Sequence, residues 1–112
     1  PGEKYANTIQ NAFQKYFNEN TINPQSFPGL QKCHNEVVAM VNDLFNAPDG
    51  AAGILTSGGT ESILLSVKTA RDYARSMHKT IDVPEILLPE SAHPAFLKAA
   101  DCFGLKAITF LF

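Results

Sequence analysis

Glycine and proline residues divide the second half of the chain into five segments that alternate between two hydrophobic patterns. Three short apolar runs, typical of buried strands, cover residues 53–56, 85–88 and 107–112. Between them, apolar residues recur every three or four positions over residues 60–77 and 95–103, which is typical of helices. Strands that alternate with helices in this way pair in parallel through crossover connections. Residues 51–112 are therefore predicted to form an α/β unit in the order βαβαβ.

The first half of the chain is predicted to be helical. Apolar residues at helical spacing predict helices over residues 3–18 and 30–45, and Pro24 and Pro28 predict an irregular segment between them. We therefore expect residues 1–50 to form an N-terminal helical segment. The chain enters helix-like sequence almost at once and stops on an apolar run with no turn after it, which predicts that it is truncated at both ends.

The charge balance argues against two classes of partner. Nine Lys and Arg residues face eleven Asp and Glu residues, which gives a net charge of −2, and no block of basic residues exists. Nucleic acids and anionic membrane surfaces are therefore not expected partners. No apolar run approaches the roughly 18–20 residues that a bilayer span needs.

The two cysteines favour a reducing compartment. Cys33 and Cys102 are far apart and lack the CxxC spacing, so we predict no disulfide framework and no metal site. Cys102 lies beside Phe103 in a predicted helix, and we expect a buried structural thiol there.

Ser57-Gly58-Gly59-Thr60-Glu61-Ser62 lies where a predicted strand gives way to a helix. The first N–H groups of a helix lack internal partners, and the helix dipole adds partial positive charge, so this junction favours an anion. Two glycines let the backbone approach a phosphate, and Thr60 and Ser62 are predicted to add hydroxyl donors. A plain strand-to-helix turn that needs glycine is the alternative. The sequence lacks both GxxxxGK[ST] and GxGxxG.

His93 is the second candidate, because it follows the second strand and precedes Pro94 at the start of a helix. Loops that leave the carboxyl ends of parallel strands gather at one edge of a sheet, so His93 would share an edge with Gly59 and Thr60. A solvated loop histidine is the alternative. His34 and Arg71 are interpreted as solvated residues on helix faces.

Residues 55–65 (LTSGGTESILL), followed by Ala70-Arg71-Asp72, resemble the cofactor-phosphate loop of the group II pyridoxal-phosphate (PLP) decarboxylases, and within them the sphingosine-1-phosphate lyase branch. The match continues in order through residues 84–86, 92–100 and 103–106. Upstream, residues 20–29 (NTINPQSFPG) resemble the lyase segment Asn-x-Leu-His-Pro-x-x-Phe-Pro. The resemblance covers residues 20–110.

This resemblance implies a fold-type I PLP-dependent transferase (aminotransferase-like) large domain, of which only the N-terminal portion is present. It implies that Gly59 and Thr60 hold the PLP phosphate through backbone N–H groups and the threonine hydroxyl. It also implies that His93 stacks on the pyridine ring. The Schiff-base lysine of the family would lie beyond residue 112.

One departure from the family affects the substrate. The histidine of the Leu-His-Pro segment, which in lyases is thought to help bind the substrate phosphate or to assist proton transfer, is Asn23 here. Asparagine can donate a hydrogen bond but cannot carry the charge of a proton. We therefore assign Asn23 to substrate binding, and its presence weakens the assignment of a phosphorylated substrate.

The resemblance implies a PLP-dependent carbon–carbon lyase that cleaves phosphorylated sphingoid bases to a fatty aldehyde and phosphoethanolamine. Two alternatives stay open: a PLP-dependent amino-acid decarboxylase of the glutamate or aromatic type, and a non-catalytic fragment. The family also implies a small-molecule amine or amino-acid substrate and a homodimer. We expect a protein that is cytoplasmic or faces the cytoplasm, with any membrane anchor outside this chain, and we expect the 112-residue chain alone to be inactive.

Overall fold

The structure, a computed structural model, describes residues 2–20, 22–23, 25–78 and 80–111. These residues divide into two compact units, 1–55 and 56–112. No helix within the described ranges is both long and apolar enough to cross a membrane.

The first unit contains two amphipathic helices, α1 (Glu3–Tyr16) and α2 (Pro28–Leu44). Both helices were expected, but α2 begins two residues before the predicted start at residue 30. Pro28 occupies its first turn, where a missing N–H removes no helical hydrogen bond, so this proline begins the helix and does not belong to the irregular segment. Pro24, the other proline of that segment, lies outside the described residues.

An extended segment, residues 51–55, lies along one face of α2. The Asn42 side-chain amide donates to the Ala51 carbonyl at 3.1 Å, and the Leu55 N–H donates to His34 Nε2 at 3.3 Å. Between these two hydrogen bonds, a Cβ at Gly53 would lie 3.2 Å from Val38 Cγ1, so glycine allows the close approach. The three α2 residues follow one another at intervals of four and therefore share a face.

The prediction of a first strand at residues 53–56 is wrong, because this segment forms no β-ladder in the structure. A strand needs a neighbouring backbone to pair its N–H and C=O groups, whereas Leu55 N–H is paired with a helix side chain. The same contact corrects the interpretation of His34, which is half-buried and accepts a hydrogen bond.

The second unit contains the remaining predicted elements in the expected order. They are α3 (Gly59–Met77), β1 (Glu85–Pro89), α4 (Ala95–Phe103) and β2 (Lys106–Phe110). The two strands pair in parallel, with Glu85 opposite Lys106 and Pro89 opposite Phe110. Gly104 ends α4 in the left-handed conformation, with φ of 67°, as glycine commonly does after a helix.

Small residues of α4 make most of the core of the second unit. The buried hydrophobic residues are Val67 of α3, Leu88 of β1, and Ala95, Ala99 and Ala100 of α4. Two other apolar residues of α3, Ala70 and Met77, lie outside this core. Ala70 lines an open cleft of about 510 Å³ beside β1, and Met77 is 61% exposed. Cys102, expected to be buried, is exposed because it lies at the margin of the face that the alanines occupy.

Candidate functional site

The N-termini of α3 and α4 lie at the same end of the second unit. The Arg71 guanidinium donates to the Phe103 carbonyl at the end of α4, and Phe96 in the first turn of α4 lines the same cleft as Ser66 and Val67 of α3. The two helices therefore run in the same direction. The Gly59–Thr60 turn begins α3, and His93 lies two residues before α4, so each stands at the starting end of its helix. That they share one site stays a prediction.

The start of α3 presents backbone donors that no group in the described part of the chain caps. The first intrahelical hydrogen bond is made by the Ser62 N–H, which donates to the Gly58 carbonyl at 3.1 Å. The amides of Gly59, Thr60 and Glu61 precede it, and no side chain caps the helix at Gly58. Within the described part of the chain, the Thr60 hydroxyl has no hydrogen-bond partner. This set of donors suits an anion with several oxygens.

Ser62 does not supply the free hydroxyl donor that the sequence predicts. Its Oγ lies 2.6 Å from the Thr56 Oγ1 and 3.3 Å from the Gly58 carbonyl oxygen, and the Thr56 hydroxyl also lies 3.0 Å from that oxygen. The two hydroxyl hydrogens are both used within this triangle, one between the hydroxyls and one to the carbonyl. Ser62 therefore shapes the loop, and Thr60 has the available hydroxyl.

Glu61 makes a second contact across this turn, to Ser57, the residue before Gly58. One carboxylate oxygen, Oε2, accepts hydrogen bonds from the Ser57 N–H at 2.7 Å and from the Ser57 hydroxyl at 2.6 Å. The hydroxyl, and then the N–H, lower the pKa of the Glu61 carboxyl. The sequence pattern does not predict the Ser57–Glu61 pair, although a glutamate in the first turn of a helix commonly hydrogen-bonds to the residues before it.

His93 is held by the start of α4. Its Nδ1 accepts a hydrogen bond from the Ala95 N–H at 3.1 Å, and its carbonyl accepts one from the Phe96 N–H. Because Nδ1 is the acceptor, the ring hydrogen of the neutral imidazole lies on Nε2. The ring is thereby fixed in orientation while the residue stays exposed, so a face remains open for a planar ligand.

Asn23 belongs to the first unit, whereas Gly59, Thr60 and His93 belong to the second. Its carbonyl accepts hydrogen bonds from the Ser26 and Phe27 amides just before α2, and its side chain is exposed. Its role in substrate binding stays a prediction.

The donor set at α3 fits a phosphate ester such as that of PLP. Three first-turn amides and the Thr60 hydroxyl are available. Among the described residues, nothing beyond the adjacent backbone would lie within 4 Å of a Cβ at Gly58 or Gly59, so a phosphate can approach the backbone there. The nearby carboxylate of Glu61 does not compete with a phosphate for these donors, because it accepts from Ser57.

The fold is that of the N-terminal part of a fold-type I PLP-dependent large domain, and the comparisons with known proteins identify its relatives. No protein-family model matches the chain. A solved structure of sphingosine-1-phosphate lyase from Burkholderia pseudomallei superposes with a TM-score of 0.82 and 32% identity, over 96% of this chain and 26% of that one. The rat sphingosine-1-phosphate lyase 1 is 45% identical over 105 residues, which is 94% of this chain and 18% of the rat protein.

A decarboxylase matches as well. The L-aspartate/L-glutamate decarboxylase of Pyrococcus horikoshii is 35% identical over 96 residues, covering 86% of this chain and 24% of the enzyme. Over most of its length the chain is therefore similar to sphingosine-1-phosphate lyases and to an amino-acid decarboxylase. The resemblance that the sequence motifs indicate is thereby confirmed. The chain spans about a fifth of the length of the curated relatives it matches.

Proposed function

We propose that this chain supplies the phosphate-binding part of the PLP site in a carbon–carbon lyase that acts on phosphorylated sphingoid bases. The observation that carries the proposal is the start of α3, where the Gly59 and Thr60 amides and the Thr60 hydroxyl are unpaired within the described residues. Homology to lyases over 94% of the chain supports the substrate class. When bound, PLP withdraws electrons from the Cα of an amine substrate, which allows a bond to that carbon to break.

Each site residue has a distinct part in this proposal. Gly59 and Thr60 bind the phosphate, where the helix dipole and charge-assisted hydrogen bonds favour a dianion. His93, held through Nδ1 by the Ala95 N–H, presents its ring to the pyridine and orients it. The lysine that attaches the cofactor is proposed to come from a part of the protein outside this chain.

Substitution of Thr60 tests the proposed phosphate site. In the full-length protein, Thr60→Ala should weaken PLP binding by roughly 1–3 kcal/mol, because a charge-assisted hydrogen bond to the phosphate is lost. Gly59→Val should weaken it further, because its side chain would fill the space that the phosphate approaches. Equilibrium dialysis of the apoprotein with PLP measures both effects. Ser66→Ala, further along α3, is the matched control. Unchanged affinity in both Thr60→Ala and Gly59→Val would overturn the proposed site.

The substitution at Asn23 separates the lyase from the amino-acid decarboxylase, the alternative that the Pyrococcus relative favours. If the substrate is a sphingoid-base phosphate, Asn23→Ala should lower turnover by removing a hydrogen-bond donor, whereas Asn23→His should preserve or raise it. Two products are measured in separate assays: the aldehyde released from the phosphorylated base, and the CO₂ released from free amino acids. Release of CO₂ without aldehyde formation would favour the decarboxylase.

The assembly and location of the full-length protein are also proposals. Fold-type I sites form at dimer interfaces, so we propose a homodimer. The unpaired cysteines, Cys33 and Cys102, support a reducing compartment, and we propose that the protein is in the cytoplasm or faces it. A chain with no catalytic role stays the third possibility, and loss of PLP binding in Thr60→Ala would argue against it.

A further inference from the structure

Glu61 and Ser57 form a bridge across the turn that begins α3. A single oxygen, Glu61 Oε2, accepts both the N–H and the hydroxyl hydrogen of Ser57, at 2.7 and 2.6 Å. The residues are four apart, and Gly58 and Gly59, which have little conformational preference, lie between them. Without the bridge, the chain around the two glycines would have many accessible conformations.

The bridge acts together with the Thr56–Ser62 contact. Thr56 and Ser62 contact each other at 2.6 Å and both contact the Gly58 carbonyl. The turn is therefore held by two nested contacts, between residues 57 and 61 and, outside them, between residues 56 and 62. Together they use every side-chain hydroxyl of the turn except that of Thr60.

A carboxylate in the first turn of a helix would ordinarily compete with an anionic ligand. The helix dipole favours either negative charge, and like charges close together repel. Here the Glu61 carboxylate already accepts two hydrogen bonds from Ser57, on the side of the turn that precedes Gly58. Its charge thus has partners, and the amides of Gly59 and Thr60 remain for a second anion.

We propose that Glu61 is a positioning residue for the cofactor phosphate: through Ser57 it holds the turn in the shape that directs the Gly59 and Thr60 donors at one point. This inference rests on the proposed function, because it assumes that the PLP phosphate binds there. Glu61 itself does not touch the phosphate. Its removal should weaken binding because the donors must then be ordered when the phosphate binds.

The experiment measures PLP binding to the full-length apoprotein in Glu61→Gln, Glu61→Ala and Ser57→Ala. Glu61→Ala should raise the Kd for PLP roughly tenfold, because the donors must then be ordered when the phosphate binds, and Glu61→Gln should raise it less. Because both residues act through one bridge, adding Ser57→Ala to Glu61→Ala should cause little further loss. Phosphorus NMR of bound PLP should show a shifted or broadened phosphate signal in the Glu61 variants.

Glu85→Gln is the control, since Glu85 is an exposed glutamate of the same unit that pairs only with Lys106 among the described residues. Thermal unfolding of each apoprotein separates positioning from general stability, because a positioning residue changes the Kd with little change in the midpoint. If the Kd for PLP were that of the wild type in Glu61→Ala but raised in Thr60→Ala, the positioning role of Glu61 would be overturned, and the proposed phosphate site would be retained. Full additivity of Ser57→Ala and Glu61→Ala would overturn that role too. A wild-type Kd in Thr60→Ala and Gly59→Val would overturn the proposed function itself.

Discussion

At the scale of single residues, the hydroxyl groups near Gly58 differ in what they can still bind. Thr56, Ser57 and Ser62 all use their hydrogens within the turn, whereas the Thr60 hydroxyl has no partner among the described residues. Sequence composition alone cannot separate these four hydroxyls, because each is a small polar residue in one short loop. The hydrogen-bond geometry pairs three of them within the turn and leaves the Thr60 hydroxyl available.

The bridge between Ser57 and Glu61 should depend on pH. The Ser57 hydrogen bonds lower the pKa of the Glu61 carboxyl in the folded chain relative to the unfolded chain. Its contribution to stability is therefore fully present above the unfolded-chain pKa and is lost as the pH falls through the lowered pKa. We expect the Ser57 amide NMR signal to move with a midpoint below the ordinary range of a glutamate. The signal should be insensitive to acid in Glu61→Gln, and a midpoint at or above the ordinary range would contradict the prediction.

Residues that the sequence alone misreads at this scale are those whose partners are distant in the chain. The sequence pattern predicts that His34 and Arg71 lie on solvated helix faces. In the structure, His34 accepts a hydrogen bond from the Leu55 N–H, and Arg71 donates one to the Phe103 carbonyl. The side chain of Arg71 is only 15% exposed and lies 5.2 Å from the Phe103 ring centre. Helical periodicity identifies a polar face but does not show that another element passes over it.

At the scale of elements, Arg71 joins the middle of α3 to the end of α4. Arg71→Met keeps the aliphatic stem but removes the hydrogen bond to the Phe103 carbonyl at 3.0 Å and the cation–π contact. We expect a loss of about 1–2 kcal/mol in the free energy of unfolding, because the bond is charge-assisted and partly buried. Denaturant unfolding of the full-length protein measures it. Arg75→Met, one turn later in α3, is the matched control, and an equal loss in both variants would contradict the assignment.

The elements that the sequence predicts correctly have prolines or glycines at their ends, which mark where each one begins or stops. Pro84 and Pro89 bound β1, and Gly104 separates α4 from β2. Residues 53–56 have the same apolar character but are not a strand, because strand formation depends on a paired neighbour as well as on composition. The turn that begins α3 lies where the sequence predicts it, because it depends on glycines and on a helix start, both of which are local. The bridge by Glu61 depends on side-chain geometry, which the pattern does not contain.

At the scale of the whole molecule, the 112-residue chain alone should be inactive. Attachment of PLP needs a lysine amine beside the cofactor aldehyde. Of the lysines that the structure describes, five lie on helices and Lys106 begins β2, paired with Glu85 at the opposite end of the sheet from His93. Lys79, the remaining lysine, lies outside the described residues.

Borohydride reduction of the isolated chain with PLP, followed by mass spectrometry, tests this prediction. We expect substoichiometric and scattered labelling and no turnover. We also expect low solubility, because large apolar side chains such as Phe13, Phe17 and Leu87 are more than 60% exposed. Stoichiometric trapping on one lysine together with turnover would contradict the prediction.

The buried alanines of α4 have a consequence for how this part of the protein can change during evolution. Ala99 is fully buried and Ala95 and Ala100 nearly so, in a unit where α4 packs on α3. A larger side chain at any of them would have no empty space to fill, so α4 would have to shift against the elements it packs on, α3 and β2. Descendants of this sequence can therefore vary the exposed faces of both helices freely while these three positions stay small.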